Sequence, residues 1–599
     1  MTSHLPLFAI IAKNAKGKAR LQSGLDALLP ATFAGPVNTW HRDPSGRFAM
    51  HAPLEDGASD SLLCMRGAPA RDPAASLALL QRAGVQALSS LGGGFAAVFW
   101  DAGRSHLILA RDQMGQQGLF VREDPDLYLV CSELPPLLDD PAYMPQFDIE
   151  SAVHYLQFGS AVPGRTLARG VTRVPAAHYL YSNGAGPLLR HRYFTPLGYD
   201  ASKVASEQDR RHITATLDDT IECSIGAGAN ALLLSGGVDS SYIAITAAMR
   251  AGPARFDAYT IEFAAPFKFN EGEYAKIVAD AAGIRHHRVT LDTSEAHAAL
   301  EAVLTAPEPC SAWASMTHHH ITSKIGADGI GRMISGLGAD EVFGGYWSFF
   351  KAYARQRKFE LSWPVGAQVH ATDGLMWMPS AARARLFSGI PRFFHDKDVR
   401  AALNAPYAAW NHGAHQIAFY RECRQLKPDS HLFEMMVAHE CQHRIPELLF
   451  AGFEPIARAH GVHTAYPFLD PAVVTLACAL GATERFWHHE GRWRNKRLLR
   501  VIADERVPEA IMKRPLYSYN APIVLWLQDA RFAATISERL RHSGLWETGL
   551  IRPEWLAHVE QQVALHLTAD NAKRFPYVEQ LWAMVTLAAW HTRWIERKT

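Results

Sequence analysis

Seven cysteines in 599 residues, at positions 64, 131, 223, 310, 423, 441 and 478, include no Cys-x-x-Cys pair. That pattern suits free thiols in a reducing cytoplasm better than a disulfide framework or a zinc site. Net charge is also missing: 60 Lys plus Arg stand against 59 acids, which gives no electrostatic case for nucleic acid or for an anionic membrane. Long apolar runs are absent too. The longest uncharged stretch, Ala83 to Trp100, is broken by Gly92, Gly93 and Gly94, so no segment reads as a membrane span. Met1 to Lys13 has an apolar centre without a basic flank and reads as a strand, not a signal peptide. No internal repeat or low-complexity tract appears. What remains is a globular chain too long for one core, expected in the cytoplasm.

What the sequence does contain is organised around Asn230-Ala-Leu-Leu-Leu-Ser-Gly-Gly-Val-Asp-Ser-Ser-Tyr242. Ala231–Leu234 reads as a buried parallel strand, Ser235–Gly237 as a tight turn, and Ser240 onward as a helix. Adjacent glycines let the backbone approach a ligand, and the unpartnered N–H groups at a helix start, with the helix dipole, favour phosphate. The loop lacks the lysine of a Walker motif. Downstream, strands Phe256–Phe263, His287–Leu291 and Arg332–Ser335 alternate with helices from Glu271 to Gly283, Ser294–Thr305 and Trp313–Ile325. This rhythm predicts an α/β domain with a doubly wound parallel sheet, whose ligands lie beyond the carboxyl ends of the strands. The helix after Glu271 is expected to bury Tyr274, Ile277, Val278 and Ala281.

A second loop, Ser335-Gly-Leu-Gly-Ala-Asp-Glu-Val-Phe-Gly-Gly-Tyr346, leaves its strand in the same direction. Asp239 and Asp340 can therefore converge on one crevice and offer Mg²⁺ the hard oxygens it takes beside phosphate. The candidate nucleotide-binding residues are Leu234, Ser235, Gly236, Gly237, Asp239, Ser240 and Ser241, with Ile261 on the next strand and Ser335 and Gly336 in the second loop. The run His318-His319-His320 invites a metal reading, but consecutive helical residues point in different directions.

These phrases carry a resemblance. Ser235–Ser241 is similar to the pyrophosphate loop of ATP pyrophosphatases, and Ser335–Tyr346 resembles the corresponding loop of asparagine synthetases. Gly94–Asp101, Ala110–Phe120, Cys131-Ser-Glu133 and Pro163–Thr166 resemble that family's N-terminal amidohydrolase domain. Gly461–Asp470, Arg494–Arg500 and Pro508–Pro515 continue the likeness almost to the end of the chain. The resemblance implies a glutaminase-like (Ntn-type) β-rich sandwich over residues 1–200, then an ATP-binding ligase domain over 201–599. The family's N-terminal nucleophilic cysteine has no counterpart, since Thr2 follows Met1 and the first cysteine is Cys64, so the expectation is a retained sandwich with its glutaminase activity lost.

Two further departures bear on the ligase. Leu337 stands where asparagine synthetases carry Glu and β-lactam synthetases Tyr. The family's catalytic lysine falls on Leu516, leaving Lys513 or Lys496 in its place. Glu454 is the candidate acid for the incoming amine, a buried partner of Arg458 being the alternative. Catalysis would thus rest on Asp340, Glu454 and Lys513, with ATP and Mg²⁺ as cofactors.

Among relatives of this type, the chain most resembles lasso peptide cyclases, which adenylate an Asp or Glu side chain of a precursor peptide for attack by its N-terminal amine. That implies a precursor peptide as substrate, and a leader peptidase and a small peptide-recognition protein as partners. The alternatives are another asparagine synthetase-like ligase or an inactive nucleotide-binding scaffold. Aromatic and basic residues over 347–430, Trp347, Trp363, Trp377 and Trp410 among them, suit either a peptide groove or a packed helical insertion.

Overall fold

The computed structural model describes residues 6–23, 40–42, 47–51, 61–69, 73–140, 143–183, 186–198, 200, 203–264, 270–346, 349–350, 393–410, 413–489, 492–514, 522–569 and 575–598. Thr2, Leu516, and Trp347, Trp363 and Trp377 of the aromatic stretch lie outside these residues, and so do the expectations that rest on them.

The N-terminal part, to Arg192, is built of two antiparallel sheets. Its strands are β1 (Phe8–Ala12), β2 (Trp40–Arg42), β3 (Phe48–His51), β4 (Ser61–Pro69), β5 (Gly93–Asp101), β6 (His106–Arg111), β7 (Phe120–Glu123), β8 (Leu127–Cys131), the short pair β9 (Gln146–Phe147) and β10 (Ala168–Arg169), β11 (Val171–Arg173), β12 (His178–Ser182) and β13 (Leu189–Arg192). One sheet runs β11-β7-β8-β1-β3-β2 and the other β13-β12-β6-β5-β4. Period-2 alternation divides each strand between two apolar layers. On β1, Ala9 and Ile11 meet Val98, Trp100 and Leu109 of the facing sheet. Phe8, Ile10 and Ala12 join a second layer with Tyr155 of helix Ile149–Phe158 and Trp582 of helix Phe575–Trp594. The far face of the other sheet is covered by helix Pro73–Ala83. With both faces of both sheets buried, strands such as β1 and β8 read as continuous apolar runs rather than alternating ones.

The C-terminal part holds one parallel sheet of β14 (Asn230–Leu233), β15 (Phe256–Phe263), β16 (Arg285–Leu291), β17 (Arg332–Ile334) and β18 (His463–Ala465). The order is β16-β15-β14-β17-β18, so the chain winds outward from β14 in one direction, then returns and winds out in the other. Helices cover both faces. Leu232 and Ala258 pack with helices Val238–Ala251 and Gly272–Ala282, while Ala231, Tyr259 and Met333 pack with Ile321 and Ile325 of helix Ala314–Ala327. The reversal makes β14 and β17 neighbours at the switch point, and the crevice beyond their carboxyl ends is where such sheets bind ligands.

One expected helix face is corrected. In Gly272–Ala282 the buried residues are Gly272, Ala275, Val278 and Ala279, whereas Ile277 is exposed. The small residues win because this helix presses closely on the loop after β14.

Candidate active site

The loop after β14 begins with Leu234, whose N–H donates to Tyr259 O at 3.0 Å and whose carbonyl accepts from Thr260 Oγ1. Ser235 N–H donates to Ser240 Oγ at 3.2 Å and Gly237 N–H to Ser235 Oγ at 3.3 Å, which folds the loop back over the helix start. Gly236 has φ +66°, and a Cβ there would lie 2.6 Å from Tyr274. Its missing side chain therefore serves the turn and the packing against the next helix, and does not by itself open a path to a ligand as the sequence suggested. The helix starts at Val238, two residues earlier than expected, with Gly237 as an N-cap that offers no side-chain cap. Its first-turn N–H groups and dipole face the crevice without a capping side chain, a ready anion cradle. Ser241 is fully buried, and Ile261 lies on β15 two residues beyond the end of the β14 pairing, beside the loop.

The second loop abuts the first. Ser335 N–H donates to Ala465 O at 3.0 Å, continuing the pairing with β18, and Leu337 N–H donates to Ser335 Oγ at 3.3 Å. A Cβ placed on Gly336 would lie 3.4 Å from Asp239 Cβ and 3.5 Å from Ser240 N. Asp340 and its neighbour Glu341 then point apart. Glu341 is fully buried, accepting from Tyr346 Oη at 2.8 Å and from Arg444 at 3.2 Å. Burial pushes its carboxyl up to about 7 against the pull of Arg444.

The structure brings Asp239 and Asp340 together on one cation. Lys496 Nζ donates to Asp239 Oδ2 at 2.5 Å and lies 2.8 Å from Asp340 Oδ1. Asp239 Oδ1 has no hydrogen-bond partner among the described residues. Burial raises the Asp239 carboxyl and Asp340 adds to the rise, with Lys496 opposing both. Burial alone would lower the Lys496 ammonium, but the two carboxylates outweigh it and hold the pKa above the ordinary value. Lys496 also adopts φ 57°, ψ 41°, a left-handed conformation rare for a residue with a Cβ, at the start of helix Arg497–Ala503. Strain of this kind costs on the order of 1–3 kcal/mol and collects where a side chain must be aimed. Gly345 makes room beneath: a Cβ there would fall 1.6 Å from Asp340 Oδ1 and 2.5 Å from Lys496 Cε.

Lys513, expected from the sequence to be catalytic in place of the family's lysine, is not part of this cluster. Its ammonium pairs with Glu509 at 2.5 Å, and its side chain is 74% exposed. The reason is helical geometry, since a four-residue spacing sets the two on one outer face. Its neighbour Arg514 turns inward instead. Arg514 donates to Ser235 O at 2.8 Å and to Glu271 at 2.6 Å, and it stacks over the Tyr274 ring. Sequence reading passed over Arg514 because nothing local distinguishes it from other arginines of that stretch. The Gly344-Gly345 pair was a visible signal for Gly345. Glu454 is buried, accepts from Tyr466 Oη at 2.6 Å and lies 3.7 Å from Arg458, in a cavity between the two halves of the chain. The three consecutive histidines diverge: His318 stacks on Phe453, His319 meets His460, and His320 faces Thr290 O.

The two aspartates suit Mg²⁺ by chemistry, being hard anionic donors already gathered around a positive charge, with one carboxylate oxygen unsatisfied. No group of three or more metal-ligating side chains gathers among the described residues. The rest of such an ion's shell would have to be phosphate oxygen and water.

A helix start without a capping side chain and a paired-carboxylate loop, meeting at the switch point of a parallel sheet beside an antiparallel sandwich, mark a two-part α/β protein. Residues 212–592 match the family described as asparagine synthase, over half of the chain, and the chain belongs to that family. Residues 70–194 match a glutamine amidotransferase domain. A putative glutamine-hydrolysing asparagine synthetase of Mycobacterium tuberculosis is 25% identical over 555 residues, covering 88% of this chain and 80% of that protein. Asparagine synthetase B of Escherichia coli is 28% identical over 291 residues, 46% of this chain and 47% of that protein. A Penicillium rubens protein named amidase chyE is 29% identical over 329 residues, 51% of this chain and 47% of its own. Among solved structures, a Bacillus subtilis glutamine phosphoribosylpyrophosphate amidotransferase gives a TM-score of 0.20 at 11% identity, covering 48% of this chain and 66% of that one, a likeness too slight to carry weight.

Proposed function

We propose that this chain is an ATP-dependent amide-forming ligase that activates a carboxylate as its acyl adenylate. The observation that carries the reading is the Asp239–Lys496–Asp340 cluster at the switch point, beside a helix start with no side-chain cap. The substrate carboxylate attacks the α-phosphorus of ATP, pyrophosphate departs, and an amine then attacks the acyl carbon and displaces AMP. The N–H groups of the first turn of helix Val238–Ala251 hold the departing pyrophosphate, and Lys496 keeps a positive charge at the cluster. Asp239 and Asp340 would hold Mg²⁺, which supplies further neutralisation of phosphate charge when bound.

The amine is proposed to belong to the substrate itself, as in lasso peptide cyclases, where a precursor peptide closes a macrolactam on an Asp or Glu side chain. Two features support this. Leu337 offers neither a proton nor a charge to a free amine at a position inside the second loop. The two cysteines of the sandwich, Cys64 and Cys131, are buried among apolar strands, and burial pushes the Cys64 thiol up to about 12, so neither is a thiolate nucleophile for glutamine hydrolysis. A leader peptidase and a peptide-recognition protein would then be partners. The names of the relatives favour a second reading, a ligase using ammonia or a small amine on a free amino acid. Incubation with ATP, Mg²⁺ and candidate carboxylates separates the two. AMP released only with a peptide bearing Asp or Glu a short distance from its amine supports the cyclase, and AMP with free aspartate supports the second. Unchanged AMP release by Asp340→Ala would refute both.

A further inference from the structure

The charged interface between the sandwich and the ligase half is not used by any step above. Part of it is closed. Arg111 donates to Gln117 O, Val174 O, Gly115 O and Glu447, and Arg173 ion-pairs with Glu308 and with Glu447. Beside this lies a cavity of about 320 Å³, lined from the sandwich by Arg66 and Glu133 and from the ligase half by Glu454 and Arg458. That is far more than the roughly 30 Å³ share of a single water. Here Arg66 is joined to Glu133, whereas Arg458 stands farther from its carboxylates. Arg66 reaches Ser132 Oγ at 2.8 Å and Glu133 at 2.9 Å, yet its Nε–H has no acceptor among the described residues. Arg458 stands 3.5 Å from Glu133 and 3.7 Å from Glu454, and neither its Nε nor its Nη1 finds a hydrogen bond among the described residues. Arg173 adds another unmatched Nε–H on the same wall. Two guanidinium groups from different halves thus share one oxygen of Glu133, while Glu454 has an oxygen committed to Tyr466.

Buried N–H donors without acceptors are rare in native proteins and call for an occupant. We infer that this cavity binds a small carboxylate, bridging Arg66 of the sandwich to Arg458 of the ligase half. The match is chemical: a guanidinium fork holds a planar carboxylate through two parallel N–H bonds, and Arg66, Arg173 and Arg458 all stand on the wall of one space. Burial and the facing Arg458 both depress the Arg66 guanidinium, as expected of two cations held short of anionic charge. Occupancy would tie the two halves together and rigidify the wall that carries Glu454.

The test uses the full chain in chloride-free buffer, with thermal denaturation and titration calorimetry against sodium acetate, glycine and sodium phosphate. Acetate and glycine should each raise the melting temperature and bind once per chain. Arg66→Gln and Arg458→Gln should each weaken that binding at least tenfold. Phosphate also suits the loop after β14, so only the part of its effect removed by Arg66→Gln belongs to the cavity. If Arg66→Gln folds poorly, Arg66→Lys keeps the charge while losing the fork, and should bind acetate more weakly than the parent. Absence of any response to acetate and glycine, a response equal in Arg66→Gln, or a response confined to phosphate would overturn the assignment and leave a cavity holding water or inorganic anion only.

Discussion

The crevice at the sheet switch point and the cavity between the two halves of the chain are both lined by opposite charges, but they are built on different terms. In the crevice each charge is held by direct contact, with Lys496 within 2.8 Å of both aspartates and Gly345 cleared of a side chain so that the three can meet. In the cavity, Arg458 stands 3.5 and 3.7 Å from its carboxylates with room left over. The first is pre-organised around a cation. The second is pre-organised around a gap. Electrostatic stabilisation of a reacting group needs donors that do not move during the reaction, and the crevice alone meets that condition.

Removing the cation is the strongest way to break this contrast. Lys496→Met should lower AMP formation by about 10²–10³-fold, the usual loss for one pre-organised electrostatic group. It also leaves two carboxylates facing each other. Breaking a buried ion pair costs about 3–5 kcal/mol, and the lower end applies here because the Asp340 side chain is 40% exposed. The melting temperature should therefore fall, and MgCl₂ without nucleotide should restore more of it in the variant than in the parent. An unchanged melting temperature with no response to magnesium would show that Lys496 does not neutralise the pair.

A smaller effect tests whether the crevice depends on contact rather than on charge alone. Gly345→Ala adds no charge but drives a methyl group into Asp340 and Lys496. Overpacking of this sort costs about 1–3 kcal/mol, and the displaced carboxylate should reduce AMP formation at least tenfold. Gly228→Ala, in the turn that leads into β14, is the control: a Cβ there would meet no atom within 4 Å, on a backbone any residue can adopt. Equal losses in the two variants would contradict the contact model of the crevice.

The crevice was legible in the sequence because its parts are local. Strand, glycine turn and helix start occupy one continuous stretch, and Ser335–Tyr346 repeats that plan after another strand of the same sheet. That the sheet is parallel followed from the alternation of its strands with helices, whereas the order β16-β15-β14-β17-β18 did not. The identity of the bridging lysine was not legible, since Lys496 and Lys513 both lie in charged stretches near the end of the domain and only the fold shows which turns inward. The cavity was less legible still. Arg66 and Arg458 are 392 positions apart, and each sits in a segment whose local pattern says only strand or helix. In the sandwich the buried apolar runs of β5 and β6 stand out, whereas β13, Leu-Arg-His-Arg on an exposed edge, carries no apolar run at all.

The finest contrast lies between two consecutive residues. Asp340 faces the crevice and Lys496, whereas Glu341 turns into the core against Tyr346, Arg444 and the nearby Glu440. Burial raises the folded-state pKa of Glu341 to about 7, above its ordinary 4.5, so between those values the native chain holds a proton that the unfolded chain has released. Stability from this group is accordingly present at the acid end of the window and lost as pH rises toward 7, by at most about 1.4 kcal/mol per unit. Glu341→Gln keeps the shape and the bond from Tyr346 but cannot titrate. The difference in unfolding free energy between parent and variant should therefore shift steadily against the parent from about pH 5 to about pH 7. A pH-independent difference would mean that Arg444 holds Glu341 ionised throughout, making it the counter-ion of a buried pair and not a neutral hydrogen-bonding group behind the loop.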